Sequence, residues 1–196
     1  MEEIKTEESI ASSNTNPIFP KGLSGVLPDL RGHLVFWPLM LGGLVLDLWT
    51  KKAAFEQIRP GESIVVIDGF LKLVTALNNG AAFGMFAGKS YILMGISLIA
   101  LLIILAIFLF GQTHQKLAQA ALGFFAAGVC GNLYDRVFND GLVRDFIDAY
   151  ITISGREYHW HTFNFADSFL CIGVGLLIIS TFLTGRSSRK HAQQHK

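Results

Sequence analysis

Charge is scarce in this chain. Only 16% of its 196 residues are Asp, Glu, Lys or Arg, and 16 basic against 15 acidic side chains leave a formal net charge of +1. No basic stripe is available to neutralise phosphates, which argues against nucleic acid as a partner. Cysteine is scarcer still. Cys130 and Cys171 both fall inside apolar segments, where they read as small packing residues rather than a disulfide or a metal pair. No Gly-x-Ser-x-Gly occurs, so there is no serine nucleophile elbow, and Ser168 has no base arranged beside it. No His-Glu-x-x-His occurs either, which removes the helical zinc-protease pattern. The first apolar block starts after about 30 residues and no small-residue cleavage site follows it, so it is read as a retained anchor. No internal repeat of usable period is present.

Apolar length is what the chain has. Hydrophobic residues make up 51% of it and the mean hydropathy is +0.44. Four blocks approach the roughly 20 residues that a helix needs to cross hydrocarbon: 34–49, 91–110 (without any charge), 117–134 and 163–184. The expected fold is an all-α membrane protein with four transmembrane helices, so both termini lie on one side. Ile64, Val66, Leu71, Leu73 and Thr75 around Asp68-Gly69 predict short strands, hence a small extramembrane β-sheet on the outer face. Residues 1–32 read as a disordered or interfacial cytoplasmic extension, 33–185 as the membrane domain with outer-face loops 52–90 and 137–162, and 186–196 as a basic cytoplasmic tail. The basic tail places the termini in the cytoplasm. Asn78-Asn79-Gly80 reads as a turn. The run 81–84 after it is either a plain loop or a stretch along the bilayer surface. Gly123, Gly128 and Gly131 in the third block let helix backbones approach closely.

Chemistry concentrates in residues 131–168. Asp135, Asp145 and Asp167 lie there, at or near the ends of apolar segments. A carboxylate at the edge of hydrocarbon is costly, and its default reading is functional. Asn132-x-x-Asp135 and Asn164-x-x-Asp167 repeat one spacing. On a helix, residues three apart share a face, so each Asn amide is expected to hold its own carboxylate. Asp47 and Lys51, four apart, form a further candidate pair, or else Lys51 is an interface lysine reaching for water. Two carboxylates held close cannot both ionise easily; one keeps its proton. That suits amide hydrolysis, with the ionised acid activating water and the protonated acid serving the carbonyl oxygen. The alternatives are a metal held by His159, His161 and Asp145, a transporter or ion-binding protein using the same carboxylates, and a non-catalytic assembly factor. His159, Trp160 and His161 read more simply as headgroup-level rings.

Between 34 and 184 the chain resembles the bacterial lipoprotein signal peptidases, or signal peptidase II. The resemblance is carried by Asp47-x-x-Thr50-Lys51, Asn78-x-Gly80-Ala81-Ala82-Phe83, Gly131-Asn132-x-x-Asp135-Arg136 and Phe163-Asn164-x-Ala166-Asp167, in that order. It implies a four-helix aspartic peptidase of the bacterial cytoplasmic membrane with its active site toward the outer face. Such an enzyme cuts prolipoproteins just before a diacylglyceryl-modified cysteine. The implied catalytic pair is Asp145, from Val-x-Asp-Phe, and Asp167. Asp148 lacks those flanking residues. Asp135 and Arg136 are implied supports. Asp47, Lys51, Asn78, Gly80, Asn132, Asn164 and Ala166 are implied orienting or substrate-binding residues. No cofactor or metal is expected. The expected partners are the prolipoprotein and membrane lipid, and the expected state is a monomer. The extension ahead of the first helix is longer than the family's usual lead.

Overall fold

In a computed structural model, residues 30–80, 85–111 and 115–194 are described, with side chains as far as residue 183. Four helices are long and apolar enough to cross a bilayer: α1 (Leu30–Gln57), α2 (Ser90–Phe110), α3 (Lys116–Phe138) and α4 (Phe165–Gln194), the last apolar over Phe165–Leu183. Four strands accompany them: β1 (Ile64–Ile67), β2 (Leu71–Asn78), β3 (Val143–Ile153) and β4 (Arg156–His159). The expected four-helix membrane fold with a small sheet is the one observed. The run 81–84 and residues 1–29 lie outside the described residues.

Connectivity explains where the sheet forms. β1 and β2 lie between α1 and α2, and β3 and β4 between α3 and α4. Alternating spans bring both connections out at the same end of the bundle. There the strands pair antiparallel throughout, in the order β1-β2-β3-β4. The β1–β2 hairpin turns at Asp68-Gly69 as the sequence predicts. The segment 137–162, read as a loop, instead carries β3 and β4. Its strand character was hidden because the buried face changes phase and is partly filled by acids. Val143 and Asp145 are buried, then Phe146, Asp148 and Tyr150, so the period-two alternation slips by one residue at a register shift against β2 and does not read as apolar against polar. One local sign was present: Ser154 and Gly155 both take positive φ, 52° and 76°, as a tight two-residue hairpin turn requires.

α1 runs well past the expected residue 49. Asp47 and Lys51 lie inside it, paired one turn apart and wholly buried. Neutralised in this way they do not end the helix, which meets no breaker until Pro60. The basic segment after residue 185 likewise continues as helix to Gln194.

α3 is the central helix. Its span is 56% buried, against 22%, 11% and 22% for α1, α2 and α4. Small residues make that possible. An ideal Cβ on Gly123 would meet the Phe36 carbonyl oxygen at 3.0 Å, and one on Gly128 the Ala166 carbonyl oxygen at 2.5 Å. Hydrophobic packing holds the other end of the bundle: Phe36 and Phe108 stack at 4.0 Å between centroids against Leu122 and Ala126. A second cluster, Ala54, Ile58 and Phe146 with Phe165, ties the end of α1 to β3 and α4. The polar site lies between these two cores.

Candidate active site

The head of α4 sets the first carboxylate. Asn164 immediately precedes the helix. Its Oδ1 accepts from the backbone N–H of Asp167 at 3.1 Å, and Asp167 Oδ2 accepts from the backbone N–H of Asn164 at 3.1 Å. This reciprocal cap satisfies two otherwise orphaned helix donors and locks both side chains. The repeated Asn-x-x-Asp spacing therefore works here, as a cap.

β3 sets the second. Its register against β2 places Ala76 opposite Asp145 and Asn78 opposite Val143. Asn78 Nδ2 donates to Asp145 Oδ2 at 3.0 Å, while its own Oδ1 accepts from the Gly80 N–H at 2.9 Å. Asn164 Nδ2 donates to Asp145 Oδ1 at 2.6 Å. One asparagine thus donates to both carboxylates, to Asp167 through its backbone N–H and to Asp145 through its side-chain amino group, while its side-chain carbonyl holds the Asp167 backbone N–H. Burial, and then the neighbouring Asp167 carboxylate, push Asp145 up to about 7, against the bonds from Asn78 and Asn164 that pull it down.

Beneath the pair lies a fully buried ionic junction. Lys51 Nζ lies 2.8 Å from Asp47 Oδ2, 3.3 Å from Asp135 Oδ2 and 3.1 Å from Asn132 Oδ1. Asp47 Oδ1 accepts from the Ala166 N–H at 2.9 Å, which fastens α1 to the first turn of α4. Asp135 is also gripped by Arg144: its Oδ1 accepts from Nη2 at 2.6 Å and its Oδ2 from the backbone N–H at 2.9 Å. Lys51, Asp47 and Asp135 are fully buried, and the partly exposed Arg144 supplies the second base that balances the two acids. Ala166, fully buried, lies 3.1 Å from an ideal Cβ on Gly131, so neither position has room to grow.

Asn132 departs from expectation. Its Nδ2 donates to Asp167 Oδ1 at 2.8 Å and not to Asp135 on its own helix. Asp135 faces Lys51 and Arg144 instead. Charged donors win that carboxylate, and the neutral amide turns to the next helix. Arg136 bonds the backbone, giving Nη2 to the Gly80 carbonyl at 3.0 Å and Nη1 to the Asn132 carbonyl at 3.3 Å.

A cavity of about 630 Å³ opens over the pair. Asp145, Asp167, Asn78, Gly80, Asn132 and Arg136 line its polar part. Val143, Phe163, Leu170 and Ile172 line its apolar part, and Trp160, His161 and Cys171 complete it. Sequence reading missed the part played by Arg144 and by the 160–163 segment. Their only sign was closeness in the chain to Asp145 and to Asn164. Asp148 is held away from Asn164, paired with His159 Nδ1 at 2.8 Å. Among the described residues, no group of three His, Cys, Asp or Glu is placed to hold a metal ion.

The model of the family described as "Signal peptidase (SPase) II" matches residues 39–183. The chain belongs to the signal peptidase II family. It is similar to the lipoprotein signal peptidase of Geobacter sulfurreducens, 41% identical over 150 residues, covering 75% of this chain and 91% of that one. It is also similar to that of Halalkalibacterium halodurans, 33% identical over 157 residues, covering 80% and 97%. Two solved structures described as a bacterial membrane enzyme share the fold at 33% identity. One has a TM-score of 0.68 and covers 85% of this chain and 95% of that one; the other has 0.66 and covers 80% and 96%. As a signal peptidase II, the chain is a peptidase of the bacterial inner membrane with four spanning helices.

Proposed function

We propose that the chain is an aspartic endopeptidase that removes signal peptides from diacylglyceryl-modified prolipoproteins, with Asp145 and Asp167 as its catalytic pair. The observation that carries this reading is the shared Asn164, which draws both carboxylates to one cavity wall. The pair holds one proton. The ionised acid takes a proton from water, whose oxygen attacks the scissile carbonyl carbon. The protonated acid gives its proton to the carbonyl oxygen. The tetrahedral intermediate then collapses, and the amide nitrogen leaves with a proton returned from the pair. No metal or cofactor enters this scheme.

The cavity suits such a substrate. Its apolar wall and its acids lie side by side at the end of the helices where the sheet gathers, at the depth at which a lipid-anchored peptide presents its cut site. The basic C-terminal segment supports cytoplasmic termini, an orientation in which this end faces outward. Every group of the site comes from one chain, and a monomer suffices. The acids cluster at one end and α2 carries none, which does not suit an ion pathway.

The test is cleavage of a lipid-modified precursor by the purified protein. Asp145→Asn and Asp167→Asn each abolish product while the protein still inserts and folds. Full activity in either variant removes the pair from the mechanism.

A further inference from the structure

The buried ammonium of Lys51 directs its protons away from both proposed catalytic acids and reaches Asp145 only through its charge, which pulls that carboxyl down. An ammonium has three protons and no acceptor, and this one finds three oxygens, on Asp47, Asp135 and Asn132. Asn132 is the only neutral group of the three. The two ends of its amide are nearly the same size, so shape alone does not choose which end faces Asp167. Chemistry chooses. Oδ1 receives Lys51 Nζ at 3.1 Å and Asn164 Nδ2 at 3.2 Å. Turned over, the amide would set its own NH₂ against an ammonium and a second NH₂, and its carbonyl against the Asp167 carboxylate. Asn164 supplies a neutral donor to Oδ1, and the charged one is the stronger.

Resting on the catalytic pair proposed above, we infer that Lys51 is a positioning residue: by holding Asn132 Oδ1 it keeps the amide NH₂ on Asp167, and so fixes the orientation of that carboxylate in the pair. The charged groups facing this chain of contacts are Lys51 and Asp47 on α1, Asp135 and Arg136 on α3, Arg144 and Asp145 on β3, and Asp167 on α4. Asp47 and Asp135 hold the ammonium in place from either side. Arginine is no substitute, because its planar fork cannot direct three protons from one nitrogen.

The test uses a charge-balanced change, Lys51→Met with Asp47→Asn, which leaves the Asp135–Arg144 pair intact. Cleavage of a synthetic diacylglyceryl-cysteine precursor peptide is followed in detergent micelles across pH. The expected loss in kcat is roughly 10- to 100-fold, with KM changed much less. The alkaline limb of the pH–rate profile moves up by about one unit, because the pair loses a donor that favoured its ionised form. A role in stability alone lowers the rate at every pH and leaves the limb in place. The cycle with Asn132→Ala is decisive: the triple change is no worse than Asn132→Ala by itself, whereas multiplying effects overturn the inference. Should the charge-balanced protein fail to accumulate in membranes, Lys51→Arg keeps the charge and is expected to move the limb the same way; an unmoved limb overturns it. Loss of activity in Asp145→Asn and Asp167→Asn beside an additive cycle refutes only this inference. Retained activity in those two variants refutes the catalytic pair itself.

Discussion

Gly131 lies so close to Asp47 that a Cβ on the glycine would strike the Asp47 Oδ2 atom. The contact joins α3 to α1 at the level of the ionic junction. Asp47 has no freedom to retreat, because Lys51 and the Ala166 N–H hold its two oxygens. The glycine is therefore a space requirement, and its helical conformation is ordinary.

Gly131→Ala is expected to displace the Asp47 carboxylate and loosen the head of α4. Overpacking of this kind costs about 1–3 kcal/mol. Thermal unfolding in detergent should show the loss, together with a fall in cleavage rate, since Asn164 and Asp167 ride on the same turn. Unchanged stability and rate would refute the tight contact.

The pH dependence follows from Asp145. Its folded-state value, near 7, lies above the ordinary 3.8, so the folded protein keeps a proton that the unfolded chain has released. The corresponding stability is present in full below about 3.8 and is lost as pH rises through about 7. The same proton serves the carbonyl oxygen in the proposed chemistry. The cleavage rate should therefore fall as pH rises past about 7. A rate that stays level to pH 9 would count against a shared proton.

Asp145 and Asp148 should separate cleanly. Asp148 is paired with the half-exposed His159 and makes no bond to Asn164. Asp148→Asn should change the cleavage rate by no more than about threefold, the scale of a partly exposed ion pair. Asp145→Asn should leave none. Parallel rate measurements on the two variants decide it.

Cys171 offers a probe of the cavity. It is exposed and lines the cavity one turn along α4 from Asp167, whereas Cys130 is half-buried in α3. A bulky maleimide should label Cys171 and block cleavage, and the precursor peptide should slow the labelling. Cys171→Ala should make the enzyme insensitive to the reagent. Labelling that the peptide does not affect would place the substrate elsewhere.

Much was legible in the chain before folding. Long apolar blocks can do little but cross a membrane as helices, because hydrocarbon offers no partner for an unpaired backbone group. Asp68-Gly69 between β-formers made a hairpin by local chemistry. Asp47 and Lys51, a helical turn apart, met as their spacing demands. The capping exchange between Asn164 and Asp167 is likewise local. The contacts that matter between distant segments were not legible. Nothing in the order of residues says that Asn132 should serve Asp167 rather than Asp135, or that Arg144 should take Asp135. Those choices depend on which charged donor arrives from another helix, and they are made only when α1, α3, β3 and α4 close around one buried junction. β3 stayed hidden for a related reason. Its buried face holds two aspartates and changes phase between Asp145 and Phe146, where the pairing with β2 shifts register, and that pairing is set only in the assembled tertiary structure.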